Sequence, residues 1–269
     1  MQDALLTAAV VAPSLALLAL LLHLFPKLGA PGRAIAAQCV KAPGLDLLIT
    51  IFQIAPLVGG AIYAGWWGML GALVGMLVAY FAWVWAHELT HRRAMRGPRI
   101  VRTMNGVLGG GFKGRLRNHA GVWATALALP IFWFIRAGEV FVYPLLILFL
   151  DFPRYKSSEW VAVSRQKFSG LVGHDLIWCL YCDWMTGVYS LGAEMLRNVE
   201  SFWCPIRFYP DKKCDNCAVD FPDVNKGWIP ADGDMAQVTV RLEEKYASGR
   251  REWFNHPARL TVEGEAVDA

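Results

Sequence analysis

Long stretches without charge constrain this chain more than any other feature. Residues 4–25 form one such run, and residues 47–86 form a second about twice as long. A helix needs about 20 consecutive apolar residues to cross a bilayer, so the first run is one span and the second has room for two. Gly59-Gly60 and Gly65-Trp66-Trp67-Gly68 interrupt the second run, which therefore reads as a helical hairpin. A third apolar region, 120–152, is broken by Arg136-Ala137-Gly138-Glu139 and reads as two short helices or a re-entrant pair. With 55% hydrophobic residues and a mean hydropathy of +0.35, the chain is too apolar for an ordinary soluble domain. The expected class is an all-α polytopic membrane protein with about five spans, or three plus a re-entrant hairpin. Residues 1–152 form its transmembrane domain, and residues 153–269 form a small cytoplasmic domain rich in cysteine.

The first run carries Asp3 and no Lys or Arg on its amino-terminal flank, and no small-residue cleavage site follows it, so it reads as a retained helix rather than a signal peptide. Basic residues near span ends stay in the cytoplasm. Lys27, Arg33 and Lys41 follow the first run; Arg92, Arg93, Arg96, Arg99, Arg102, Lys113, Arg115 and Arg117 follow the hairpin; Arg154, Lys156, Arg165 and Lys167 follow the third region. Five spans with the amino terminus outside and the carboxy terminus in the cytoplasm satisfy this pattern, with Arg136 left outside. A bacterial inner membrane is the expected location. The net charge of +4 is then a topology signal and not a nucleic-acid footprint. Anionic lipid headgroups of the bilayer are the partner it favours.

Beyond residue 153 charge rises while aromatics persist. Residues 171–203 read as one amphipathic helix or a broken pair, because Ile177, Tyr181, Trp184, Val188, Leu191, Met195, Val199 and Phe202 recur at helical spacing. Val238, Val240 and Leu242 alternate with Gln237, Thr239 and Arg241 as in a short strand, which Leu260 and Val262 could pair with. No nucleotide-binding fingerprint is present, and Gly109-Gly110-Gly111 is expected to precede no helix start of the kind that holds phosphate.

Five of the six cysteines fall in this part: Cys179 and Cys182 as one CxxC pair, then Cys204, then Cys214 and Cys217 as a second pair. In a reducing compartment structural disulfides are disfavoured, and metal binding is the leading use of such thiols. Two CxxC pairs suit a four-cysteine zinc site, with Lys212 and Lys213 favouring thiolate beside the second pair. The fifth cysteine keeps iron, including an iron-sulfur cluster, open as the alternative. Buried cysteines acting as small hydrophobes and a catalytic dithiol are the other readings. The block from Cys179 to Ile206 resembles a motif of uncharacterised bacterial membrane proteins, and that resemblance brings no activity.

His87-Glu88-Leu89-Thr90-His91 matches HExxH at the end of the second run. Histidines four apart share a helix face and can chelate one ion, while Glu88 can serve as general base. With Arg92, residues 86–92 resemble the first histidine box of membrane alkane hydroxylases and fatty-acid desaturases, which implies a second metal at the histidines. His119 and His174 lie at the same face, His23 could join from the first span, and Asp151 is the nearest substitute carboxylate. The sequence is also similar to site-2 intramembrane proteases, in which an aspartate from a later span, here Asp151, joins HExxH. Three functions follow as expectations: a metal-dependent oxidoreductase acting on a lipid or apolar substrate, an intramembrane zinc metalloprotease, or a non-catalytic zinc-stabilised adaptor that docks a cytoplasmic protein partner.

Overall fold

The computed structural model describes residues 1–209 and 227–247, together with 212, 213, 215 and 224. It is mostly helical, and no strand occurs among the described residues. Two isolated bridges, Lys41 with Ala162 and Ile206 with Ile229, are the extended pairings there. Three helical segments are long and apolar enough to cross a membrane: Gln2–Lys27, Gly44–Ala94 and Gly111–Leu150. Their outward side chains are apolar, with Leu5, Leu20, Val58, Trp66, Phe81 and Trp85 all exposed. The chain packs as two compact units, 1–128 with 161–186 and 129–160 with 187–269, so the residues from 153 onward contribute to both.

The first unit begins with α1 (Gln2–Leu24) and α2 (Gly29–Cys39). Next, α3 (Gly44–Ile49) runs through a π-turn at Thr50–Ile54 into α4 (Ala55–His91). As expected, the second run folds back on itself. Ala64 and Gly65 leave helical geometry, and Gly65 takes φ +56, a left-handed conformation that glycine adopts without steric cost. In a straight helix Gly60 and Gly68 would stand about 12 Å apart. Here a methyl group on Gly60 would strike the Gly68 carbonyl, so the two arms touch. The second arm then presents Gly68, Gly71, Ala72, Gly75 and Ala79, all buried, as a seam of small residues. Against it lies α1. A Cβ on Gly71 would overlap the Ala4 carbonyl, and one on Gly75 would overlap Val11. Small residues let helix backbones approach where lipid supplies no hydrophobic drive. Because Ala4 meets Gly71 and Val11 meets Gly75, the two helices run side by side in the same direction.

After the turn at Arg92–Ala94 come α5 (Ile100–Val107) and α6 (Gly111–Ala126). At the glycine run a helix starts at Gly111. Gly109 and Gly110 take positive φ and turn the chain between two helices, and the Gly110 amide donates to the Asn105 carbonyl.

In the second unit, α7 (Leu129–Ala137), a π-turn at Gly138–Val142 and α8 (Tyr143–Leu150) follow without a gap. The expected interruption at Arg136–Glu139 is therefore corrected: the helix stops at Leu127–Ala128 and continues through the charges. The reason is local pairing. Arg136 Nη1 meets Glu139 Oε2 at 2.6 Å, and both side chains are buried. A short helix α9 (Ser157–Trp160) follows. The stripe at 171–203 is one helix, α10 (Gly173–Trp203), whose residues from 187 belong to this unit.

The strand expected at 237–242 is also corrected. It is helix α11 (Met235–Tyr246), opened by a capping box in which Asp234 accepts from the Gln237 amide and Gln237 accepts from the Asp234 amide. Val238 is buried and Leu242 packs on Val224 and Trp228, while Val240 is exposed. The spacing of four, not of two, carries the burial. Leu260 and Val262, the proposed strand partners, lie outside the described residues.

Candidate metal centre

The register of α1 on α4 has a chemical consequence at its far end. His23, in the last turn of α1, arrives beside His87 and His91 in the last two turns of α4. Ring centroids are 6.0 Å apart for His23 and His87, 5.3 Å for His23 and His91, and 4.4 Å for His87 and His91. One ligand nitrogen from each of the three lies within 4.8 Å of the other two. All three side chains are partly buried, and Trp83 stacks on His87 at 4.5 Å. His91 Nε2 is buried with no hydrogen-bond partner. A buried nitrogen without a partner is uncommon enough to require an explanation, and an ion is one.

Glu88, the residue expected as general base, is engaged elsewhere. It forms an ion pair with Arg99. Gly173, with φ +54, sits so close that a Cβ would collide with the Glu88 side chain, and the Gly173 amide donates to His87 Nδ1 at 3.2 Å. With Nδ1 accepting, the neutral ring of His87 carries its proton on Nε2. A metal at either nitrogen therefore exchanges with a proton or with that amide.

His119 and His174 form a neighbouring pair, with centroids 5.7 Å apart. Both ring nitrogens of His174 are buried without hydrogen-bond partners. Asp175 stands 3.8 Å from His174 and accepts from the Ile100 and Val101 amides, so it caps α5. Trp178 donates to the Tyr80 hydroxyl at 3.1 Å and packs edge-on to Trp123, which encloses His174 with aromatic rings. All five described histidines thus belong to the first unit. His119 and His174 are not within ligand distance of the triad. Asp151 lies in the second unit, where it ends α8 in a left-handed conformation with φ 53.

The cysteines divide as well. Cys179 and Cys182 belong to the first unit and Cys204 to the second, all as free thiols, while Cys214 and Cys217 lie outside the described residues. Burial pushes the Cys179 thiol up, against the opposing effect of the nearby Arg165 guanidinium.

Reading the sequence missed Arg99 and Gly173, and it gave His23 only as an outside candidate. The available signal for His23 was its place at the end of an apolar run, level with HExxH at the end of another. It also missed a buried network in the second unit. There Glu194, Arg197 and Asn198 on α10 meet Tyr143 and Tyr155: Asn198 Nδ2 donates to both tyrosine hydroxyls at 2.9 Å, and Arg197 pairs with Glu194 at 3.4 Å. The period-3.6 spacing had pointed only to the apolar face of α10. No family model, curated protein or solved structure matches the chain.

Proposed function

We propose that the chain is an integral inner-membrane metalloprotein that holds one transition-metal ion on His23, His87 and His91, and that the ion serves oxidation or reduction of a lipid or other apolar substrate. The convergence of three imidazoles from two helices carries this reading. Nitrogens sharing one ion at about 2.1 Å stand roughly 3–3.5 Å from one another, so modest ring rotation closes the set. An all-imidazole set suits zinc, copper, iron or nickel, and three protein ligands leave a position open for substrate or oxygen. The apolar surface of the adjoining helices offers lipid as the nearest substrate.

The engagement of Glu88 by Arg99 argues against the metalloprotease, which needs that carboxylate free to take a proton from water. The adaptor reading rests on the cysteines alone. We further infer five crossings with the amino terminus outside, with Arg136 paired to Glu139 inside a helix. A re-entrant pair is the competing arrangement.

Elemental analysis of the detergent-purified protein tests the assignment. Wild type is expected to carry one metal equivalent that His87→Ala and His23→Ala each abolish. Iron or copper with visible absorption supports redox chemistry, colourless zinc favours the protease or adaptor, and a metal count unchanged in both variants overturns the site.

A further inference from the structure

Basic and apolar side chains share one outward surface on α5 and the first turns of α6. On α5, Ile100, Met104 and Val107 recur at helical spacing and all are exposed, Val107 at 70%. On α6, Phe112 and Leu116 stand four apart and are exposed as well, Phe112 at 81%. Arg102, Lys113 and Arg115 lie among them, also exposed, and none of the three side chains is paired with an acidic group among the described residues.

Packing uses other faces of the same two helices. Asn118 Nδ2 donates to the Val101 carbonyl at 3.0 Å and to Asn105 Oδ1 at 2.9 Å, and a Cβ on Gly114 would overlap the Asn105 carbonyl, so these residues are where α5 and α6 meet. The pair is also tied to the end of α4 that carries the histidines. Asp175 accepts from the Ile100 and Val101 amides at 2.7 and 3.1 Å, and Arg99, just before α5, forms its ion pair with Glu88. The exposed set is therefore held in place on a fixed hairpin.

Such a surface suits neither water nor hydrocarbon. Five large apolar side chains together on the outside mark an interaction surface, while Lys and Arg are costly within the hydrocarbon. The headgroup boundary satisfies both, because an amphipathic helix there buries its apolar face about 5–10 Å into the acyl region and keeps its cations level with the phosphates. A free phosphate would use the cations alone, and a zwitterionic lipid brings a positive charge of its own beside its phosphate. An anionic phospholipid uses both parts of the surface. We propose that α5 and the first turns of α6 form an interfacial binding surface for anionic phospholipid, with the phosphate among Arg102, Lys113 and Arg115 and the acyl chains against Ile100, Val107 and Phe112. Binding is reversible and involves no covalent step.

The test uses the full-length protein in a neutral detergent, with lipid adducts counted by native mass spectrometry as phosphatidylglycerol or phosphatidylcholine of the same acyl chains is added. Wild type is expected to bind phosphatidylglycerol at least about tenfold more tightly than phosphatidylcholine, and Arg102→Gln with Lys113→Gln and Arg115→Gln should remove that preference. Arg102→Lys with Arg115→Lys keeps the charges and should keep the preference. Val107→Ser with Phe112→Ser should weaken both lipids and leave their ratio unchanged. A control that removes as many cations elsewhere, Lys27→Gln with Arg33→Gln and Lys41→Gln, should bind as wild type does. Equal affinity of the wild type for the two lipids would overturn the proposal whether or not the glutamine variant folds. So would an equal loss of preference in the control, which would make the effect one of overall charge, or displacement of the lipid by excess inorganic phosphate, which would make the surface a free-phosphate site. Lipid binding is read without metal or turnover, so this proposal and the assignment of the histidine site fail independently.

Discussion

The buried ion pairs of the second unit and the histidines of the first differ in the kind of polar atom they bury. In the second, charges neutralise one another within a single helical turn: Arg136 with Glu139 across a π-turn, and Glu194 with Arg197 on α10. In the first, polar nitrogens are gathered and left without hydrogen-bond partners, at His91 Nε2 and at both nitrogens of His174. Burial of an ion pair stabilises little by itself, but loss of one partner strands the other charge. An imidazole ring offers two nitrogens to a ligand and is the commonest metal-binding side chain. The contrast separates charged groups that pair with one another from imidazole nitrogens that have no hydrogen-bond partner.

The largest expected effect tests the network. Arg136→Met leaves Glu139 without its buried partner and should destabilise the protein by about 3–5 kcal/mol, whereas Arg136→Met with Glu139→Leu should recover most of that loss. Denaturant unfolding in mixed micelles measures both. A double variant no better than the single would mean that the charges do more than satisfy each other. A smaller loss is expected at the seam. Gly71→Val drives a side chain into the Ala4 backbone and should cost about 1–3 kcal/mol while also lowering metal content, because the packing of α1 on α4 brings His23 to His87 and His91. Loss of stability with full metal retention would detach His23 from the site.

Alkaline pH tests the network further. Burial, with Glu194 adding to it against the Asn198 hydrogen bond, holds the Tyr155 hydroxyl well above its usual range. A folded-state value above the unfolded one stabilises fully below pH about 10 and is lost as pH rises beyond it. Far-UV circular dichroism from pH 8 upward should show alkaline loss of structure that Tyr155→Phe shifts to higher pH. An unmoved midpoint would remove Tyr155 from the network. The smallest effect belongs to the histidines. Without metal, His91→Ala should cost no more than about 1 kcal/mol, although it should abolish metal binding. A cost near that of Arg136→Met would make the histidines packing elements and erase the difference between the units.

Apolar run length, the Gly65 hinge and the four-residue spacing of His87 and His91 were legible in the sequence, because each follows from helix geometry over a few neighbouring residues. Local geometry also misled. The alternation at 237–242 looked like a strand, since a helix and a strand share apolar positions at short range, and only the capping box at Asp234 and Gln237 argued otherwise. Arg136 and Glu139 looked like a break because sequence alone counts charges and cannot see that three residues of helix bring these two together.

What the sequence by itself determined is the set of helices and the side chains each one offers. The tertiary structure alone decided which of them meet. His23 joins His87 and His91 because glycines on α4 let α1 approach in one register, a contact between residues more than sixty positions apart. The packing also set Glu88 against Arg99 and Gly173, of which Gly173 comes from more than eighty positions away. Chain periodicity encodes which face of a helix is apolar; it does not encode the partner that face will find, because that depends on the close approach of backbones that only the folded packing allows.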